Sequence, residues 1–323
     1  MGSTQLERVD AEPIRKLLRS VSLNRAKDLD ALFDEIDPAC ELDRGAERNL
    51  FQAVLGKPNI IRIGLQCTVR LEAHAHAAGV LFTAFGTPGF QTMDRDERNK
   101  LLSPADKILT WAVGLDLQRW LGQMGHDLNP EDVLPGGLSE MPTEIIGALT
   151  DNQRLFGRSF FLYASAFILL HELGHLKHGH TQSTHENEKV ADRFAAEWMS
   201  DAASESGNEE FDRLAAIYGI AVALLWLTVF NFYFGKRESK THPEGYDRLF
   251  QVLDQILDVP ESDEYKMVWY FVAQMLFIHM WSAGFDFDPE QDAIHMQGDP
   301  RDEVNYYIDR ISKWDKKREG QSS

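Results

Sequence analysis

Cysteine and positive charge are both scarce in this chain. Cys40 and Cys67 are the two cysteines in 323 residues, and they occur in unrelated contexts without CxxC spacing. This scarcity indicates a reducing compartment and no disulfide framework. The chain has 33 Lys and Arg against 51 Asp and Glu, which gives a formal net charge of −18. Because phosphate neutralisation needs clustered basic residues, this balance argues against DNA or RNA as a partner.

Targeting and repeat signals are also missing. The first residues, MGSTQLERVDAEP, contain no apolar run of the kind found in a secretory signal, and we therefore expect a cytoplasmic location. The chain shows no internal repeat and no low-complexity segment. With 43% hydrophobic residues it can bury a core in one large domain or in two closely packed ones.

One uncharged apolar run, Leu214–Phe234, is long enough to cross a bilayer. A helix buried on all sides in a globular core has the same composition. Asn231, several small residues and the polar remainder of the chain favour burial. We therefore predict a buried helix, with an inner-membrane-associated protein as the alternative.

The chain changes character along its length. Helical spacing in Pro13–Leu23 and Ala26–Ile36 predicts two helices, and the β-branched segment Asn59–Phe85 predicts two or three strands. Ser103 and Pro104 predict the start of a helix that runs to about residue 121. Residues 125–150 are rich in proline and glycine, which predicts a loop or a boundary. Five helices are predicted after it, at 151–178, 185–202, 210–234, 244–257 and 263–282.

These patterns predict an α+β fold that is mainly helical, with a small β-sheet in its N-terminal part. We expect residues 1–150 to form an N-terminal α+β region and residues 151–323 a helical region, with one compact unit as an alternative. His74 and His76 alternate on a predicted strand and would share one face. A half-buried surface explains that pair better than a second metal site.

The stretch FILLHELGHLKHGH contains His171-Glu172-Leu173-Gly174-His175, which fits the HExxH pattern of zinc hydrolases. Residues i and i+4 share a helix face, so His171 and His175 can bind one Zn²⁺. Glu172 can reach a water at the open position of the metal and act as a general base. The preceding apolar run Phe160–Leu170 predicts a buried helix that holds this site rigidly.

A catalytic zinc site of this type needs a third protein ligand. The metzincin spacing HExxHxxGxxH would require Gly at position 178 and His at position 181, where this chain has His178 and Thr181. Downstream, Glu188 and Asp192 lie at i and i+4 on a predicted helix and share one face. One carboxylate can bind the metal while the other accepts a hydrogen bond from a ligand imidazole. Competing candidates for the third ligand are His180, His185 and Glu186.

HELGH followed by EKVAD resembles the gluzincin metallopeptidases, and the short distance between the two motifs is similar to that in the Lit-like phage-exclusion peptidases. The resemblance implies a zincin-like helical core and zinc as the cofactor. It also implies a protein substrate and a role in phage defence or a stress response. By motif, it assigns His171, His175 and Glu188 as ligands, Glu172 as catalytic base and Asp192 as the partner that orients a ligand.

A second resemblance lies further along the chain. Thr241-His242-Pro243 with the following Arg248 is similar to the THPxxxxR stretch of the membrane-associated HtpX-like peptidases. The LPGG run at 134–137 resembles their edge-strand motif. His242 can donate a hydrogen bond to an oxyanion as a catalytic residue, or simply precede Pro243 at a helix start. Arg248 either pairs with an active-site carboxylate or lies on the surface of its helix.

We therefore expect a zinc-dependent endopeptidase that cleaves a protein substrate. One alternative is a zinc-containing regulatory or sensor module that binds a protein partner without catalysis. Glu172 argues against it, because a structural zinc site has no use for a base. The other alternative is a membrane-anchored peptidase with Leu214–Phe234 as its span.

Overall fold

A computed structural model of the protein describes residues 6–43, 51–123, 141–182, 184–203, 209–233, 245–257, 259–260, 262–282 and 299–321. These residues form four strands, β1 Leu6–Val9, β2 Pro38–Asp43, β3 Phe51–Val54 and β4 Asn59–Gly64. They also form eleven α-helices: α1 Glu12–Val21, α2 Ala26–Ile36, α3 Leu65–Phe85, α4 Arg95–Gln123, α5 Thr143–Gly147, α6 Asp151–Lys177, α7 His185–Ala203, α8 Glu209–Tyr233, α9 Gly245–Ile256, α10 Asp263–Ser282 and α11 Pro300–Gln321. The predicted α+β class, mainly helical with a small N-terminal sheet, is confirmed.

The four strands form one mixed sheet in the order β1-β2-β4-β3. Strands β2 and β4 are parallel to each other. Strand β1 pairs antiparallel with β2, and β3 pairs antiparallel with β4. Cys40 of β2 and Ile61 of β4 lie opposite each other and are fully buried in the core. In the part of the chain that the structure describes, β3 pairs with one strand only, and it also contacts helix α6.

The predicted strands after residue 64 are wrong, because residues 65–85 form helix α3. The segment has five alanines and no proline, a composition that favours a helix. Burial on nearly every side removes the amphipathic period that marks a surface helix. Since residues two apart on a helix point in different directions, His74 and His76 do not share a face. His74 lies against His279 of α10, and His76 lies against Gly157 of α6.

The predicted helix start at Ser103 is also wrong. Helix α4 begins at Arg95, where the side chain of Asp94 accepts a hydrogen bond from the backbone N–H of Glu97 at 2.9 Å, and Pro104 lies inside the helix. Within residues 125–150, the described part contains the short helix α5. The five helices predicted after residue 150 are confirmed as α6 to α10, with ends within one or two residues where the structure describes them.

Helix α6 lies at the centre of the fold and packs against α3, α7 and α8. It starts with a capping box in which Thr150 and Gln153 each bond the other's backbone N–H. Gly79 of α3 and Gly157 of α6 let these two helices approach closely, since a Cβ on Gly79 would lie 2.6 Å from the Gly157 nitrogen. Every residue from Tyr163 to Leu176 is buried, so the HELGH segment is held on all sides.

Among the described residues, two helices are long and apolar enough to cross a membrane, Asp151–Lys177 and Glu210–Val229. In each, 78% of the most apolar window is buried inside the protein, and core helices of soluble proteins pass the same test. The part of the predicted apolar run from Leu214 to Val229 therefore lies on a helix largely covered by its neighbours. Membrane association and the division at residue 150 both stay predictions.

Candidate metal centre

Helices α6 and α7 bring three potential ligand atoms together. The Nε2 atoms of His171 and His175 are 3.0 Å apart. Glu188 places Oε2 3.3 Å from His171 Nε2 and Oε1 3.5 Å from His175 Nε2. All three residues are buried, and one ligand atom from each lies within 4.8 Å of the others. No other group of three such residues meets this criterion in the described part of the chain.

Local sequence explains why these atoms converge. His171 and His175 are one turn apart on α6, so their side chains lie one above the other on the same face. Gly174, between them, permits the close approach of α7, because a Cβ there would lie 3.2 Å from the Cα of Ala191. Glu188 lies in the first turn of α7, where the backbone can direct its side chain onto that face of α6.

Asp192 lies one turn further along α7 and accepts a hydrogen bond from His171 Nδ1 at 2.9 Å. Arg248 of α9 donates to both oxygens of this carboxylate, from Nε at 2.8 Å and from Nη2 at 2.6 Å. Its Nη1 also lies 3.6 Å from Glu188 Oε2. Of the two alternatives for Arg248, the structure therefore shows the pairing with site carboxylates.

The charges in the site are strongly coupled. Burial and Arg248 disfavour the protonated form of His171, but Asp192 and Glu188 outweigh them and raise its pKa to about 9. Burial opposes ionisation of Glu188, but hydrogen bonds from His171 and His175 and the charge of Arg248 hold its pKa well below the usual range. Burial likewise opposes ionisation of Asp192, and Arg248 and His171 lower its pKa. The site therefore carries two carboxylates that favour a bound cation.

Glu172 is buried beside the ligands, and its Oε2 accepts a hydrogen bond from the backbone N–H of Ala53 at 2.6 Å. Strand β3 therefore lies across the site and fixes one oxygen of this carboxylate. A pocket of about 280 Å³ opens at this point. Besides the ligands, Glu172 and Arg248, its lining comprises Phe51, Gln52, Ala53, Phe167, Ile168, His180, Thr181, Gln182 and Leu227.

The structure shows His180 beside the ring of His175, a role that we did not predict from the sequence, where His180 was a competing candidate for the third ligand. Its Nδ1 lies 3.0 Å from Nδ1 of His175. The signal in the sequence is Gly179, which marks the helix end and returns the chain toward α6. The proposed catalytic residue His242 and the LPGG run at 134–137 lie outside the described residues.

The arrangement fits a divalent metal ion. Two histidines and one glutamate form a donor set used by catalytic zinc sites, and zinc binds both imidazole nitrogen and carboxylate oxygen. His171 and His175 each have a hydrogen-bond partner at Nδ1, which leaves Nε2 of both rings for the common point between α6 and α7. The Glu172 carboxylate lines the same pocket, as a water-activating site requires.

A family model described as Peptidase U49 matches residues 94–272, which is more than half of the chain. The matched range runs from the start of α4 to within α10, and it includes the HELGH segment, Glu188, Asp192 and Arg248. Comparison with curated proteins and with solved structures gave no significant match.

Proposed function

The chain belongs to the Peptidase U49 family, and on that basis we propose that this peptidase is a zinc-dependent endopeptidase of the gluzincin type. The convergence of His171, His175 and Glu188 on one buried point is the observation that carries the proposal. The adjacent Glu172 supports a catalytic rather than a structural role for the metal, because a structural zinc site has no use for a base.

In this proposal His171, His175 and Glu188 hold Zn²⁺. When bound, the ion lowers the pKa of a coordinated water and polarises the scissile carbonyl. Glu172 accepts the proton of the attacking water and passes it to the nitrogen of the leaving amine. The Ala53 N–H donates to Oε2 and holds this carboxylate in place, and the carboxylate keeps further lone pairs for proton transfer.

Asp192 and Arg248 have a supporting role in the same proposal. Asp192 accepts the Nδ1 proton of His171, which fixes the ring with Nε2 toward the metal. Arg248 holds Asp192 in place with two hydrogen bonds and balances its charge. His242 as an oxyanion donor remains part of the proposal, on the resemblance of its THP stretch.

The proposed substrate is an extended segment of a protein. In an antiparallel strand the N–H and C=O of one residue point to the same side, so both groups of Ala53 face the pocket rather than β4. The outer edge of β3 can therefore pair with an extended chain. Phe51, Phe167 and Leu227 provide apolar surface for its side chains.

Metal dependence is tested directly with fluorescently labelled, unfolded casein as a probe. We expect a chelator to abolish cleavage and stoichiometric Zn²⁺ to restore it. Glu188→Ala should lose both zinc and activity, whereas Glu197→Ala, an exposed acid on the same helix, should keep both. Full cleavage by chelated protein, with no zinc bound before or after, would contradict the proposal.

We further propose a cytoplasmic peptidase that acts on a protein, binds no nucleic acid and serves in phage defence or a stress response. The net charge of −18 supports the absence of a nucleic-acid partner, and the burial of both long apolar helices supports the cytoplasmic location. The Lit-like resemblance supports the defence role. We expect the protein to be recovered in the soluble fraction without detergent. We also expect a lower phage yield in cells that express the wild type than in cells that express Glu172→Gln.

A further inference from the structure

We propose that His180 is a positioning residue that accepts a hydrogen bond from His175 and fixes that imidazole for metal binding. The inference rests on the proposed function, since it takes His175 as a ligand through Nε2. His180 comes from the turn that ends α6 rather than from a neighbouring helix. Its role therefore follows from how this helix terminates.

The end of α6 has the hydrogen bonds of a Schellman motif. Gly179 has a φ of +65°, in the left-handed region that favours glycine. The N–H of Gly179 donates to the carbonyl of Leu176 at 3.2 Å, and the N–H of His180 donates to the carbonyl of His175 at 3.0 Å. In this motif the residue after the glycine contacts the residue that accepts its N–H, and the contact is commonly apolar. Here both positions are histidine.

The side chains use this contact for a hydrogen bond. Nδ1 of His175 and Nδ1 of His180 are 3.0 Å apart. Nε2 of His175 is directed at the ligand cluster, 3.0 Å from His171 Nε2 and 3.5 Å from Glu188 Oε1. A neutral imidazole that offers Nε2 as a ligand carries its proton on Nδ1. His180 must then accept at its own Nδ1 and carry its proton on Nε2.

The two metal-binding imidazoles thus have different partners at Nδ1. His171 donates to the buried, ionised carboxylate of Asp192, and His175 donates to the neutral ring of His180. Such partners set the orientation and the tautomer of a ligand imidazole, and their loss costs metal affinity. The spacing His-x-x-x-Gly-His in HLKHGH supplies ligand, helix terminator and partner within six residues.

A matched control lies two residues away. His178 is exposed, its ring stacks on that of His180 at 5.6 Å, and it also lies 6.0 Å from Phe194. It has the same chemistry as His180 and comes from the same turn, but its ring contacts are with His180 and Phe194 rather than with His175. His180 is itself half-buried at the pocket edge, so its substitution should leave the fold intact.

The experiment measures Zn²⁺ affinity by chelator competition, the visible spectrum of the Co²⁺-loaded protein and the melting temperature of the metal-free protein. We expect His180→Ala to weaken Zn²⁺ binding roughly ten- to a hundredfold and to shift the Co²⁺ bands, with an unchanged melting temperature. His180→Asn should recover much of the loss, because its side-chain oxygen can accept the same proton. His178→Ala should bind as the wild type does.

A backbone variant tests the same idea independently. Nothing lies within 4 Å of a Cβ placed on Gly179, so Gly179→Ala adds conformational strain without a clash. It should weaken Zn²⁺ binding in the same direction as His180→Ala. Wild-type affinity in His180→Ala, or an equal loss in His178→Ala, would overturn the role of His180 while the metal site stands. A wild-type protein that binds no Zn²⁺ would overturn the proposed function and this inference together.

Discussion

Removal of the Asp192 carboxylate should cause a large loss of stability. Asp192 is 2% exposed, and both of its oxygens bond the guanidinium of Arg248, whose side chain is 11% exposed. In Asp192→Ala the charged partner left within 4 Å of this guanidinium is Glu188, at 3.6 Å, and Nη2 keeps its contact with His171 Nδ1 at 3.3 Å. Breaking a buried ion pair from one side costs about 3–5 kcal/mol, a large part of the ~5–15 kcal/mol that holds a typical protein together.

The free energy of unfolding of the metal-free protein at pH 7, measured in denaturant, checks this value. Glu197→Ala, on the exposed face of the same helix, is the control and should change stability by less than about 0.5 kcal/mol. The double variant Asp192→Ala, Arg248→Leu contains no uncompensated guanidinium. It should therefore be less destabilised than the sum of the two single variants.

The pH dependence of the same pair has a defined sign. Folding lowers the pKa of Asp192, so its carboxylate contributes to stability at a pH above its pKa in the unfolded protein, near 4. This contribution to stability is lost as the pH falls through the pKa of Asp192 in the folded protein. Asp192→Ala should remove that part of the acid-induced loss of stability. A cost below about 1 kcal/mol at pH 7, equal to that of Glu197→Ala, would refute the reasoning, and so would strict additivity in the double variant.

Three further predictions follow from single contacts. Gly79→Ala places a Cβ 2.6 Å from the Gly157 nitrogen and should lower the free energy of unfolding by about 1–3 kcal/mol or more, whereas Gly147→Ala, with open space around it, should not. Burial raises the pKa of Glu303 to about 7, so the free energy of unfolding of the wild type should fall between pH 4.5 and 7. Glu303→Gln should therefore stabilise the protein by up to about 3 kcal/mol at pH 8 and leave its stability unchanged at pH 4. Because the pKa of His171 is about 9 without metal, Zn²⁺ binding at pH 7 should release a proton, and the Zn²⁺ affinity should rise as the pH rises to 9. Calorimetry in buffers of different ionisation enthalpy measures this proton release, and finding none would contradict the prediction.

Helices α6 to α10 could be predicted because their signals are local, whereas α11 was not predicted. The apolar run, the i, i+4 histidines and the carboxylate pair on α7 each lie within one helix. Helix α3 could not be identified in the same way, since burial on nearly all sides leaves no amphipathic period, and its β-branched residues favour a strand reading.

Contacts between distant segments account for what the sequence did not reveal. Strand β3 has four residues, too few for a pattern, and it reaches the site through the bond from Ala53 to Glu172, 119 residues later. The two alternatives for Arg248 could be separated only by the packing of α9 against α7. His180 is different, because Gly179 and the helix end were visible in the sequence and predict the turn that returns it to His175.

The central claim is that Glu172 acts as the base of a metal-dependent peptidase. The most direct measurement compares cleavage of labelled, unfolded casein by zinc-loaded wild type and zinc-loaded Glu172→Gln, with zinc content determined on the same samples. Glutamine keeps the size of the side chain but cannot take a proton, so we predict equal zinc and a rate lower by about 10²–10⁴-fold. A Glu172→Gln protein that carries zinc and cleaves as fast as the wild type would contradict the account.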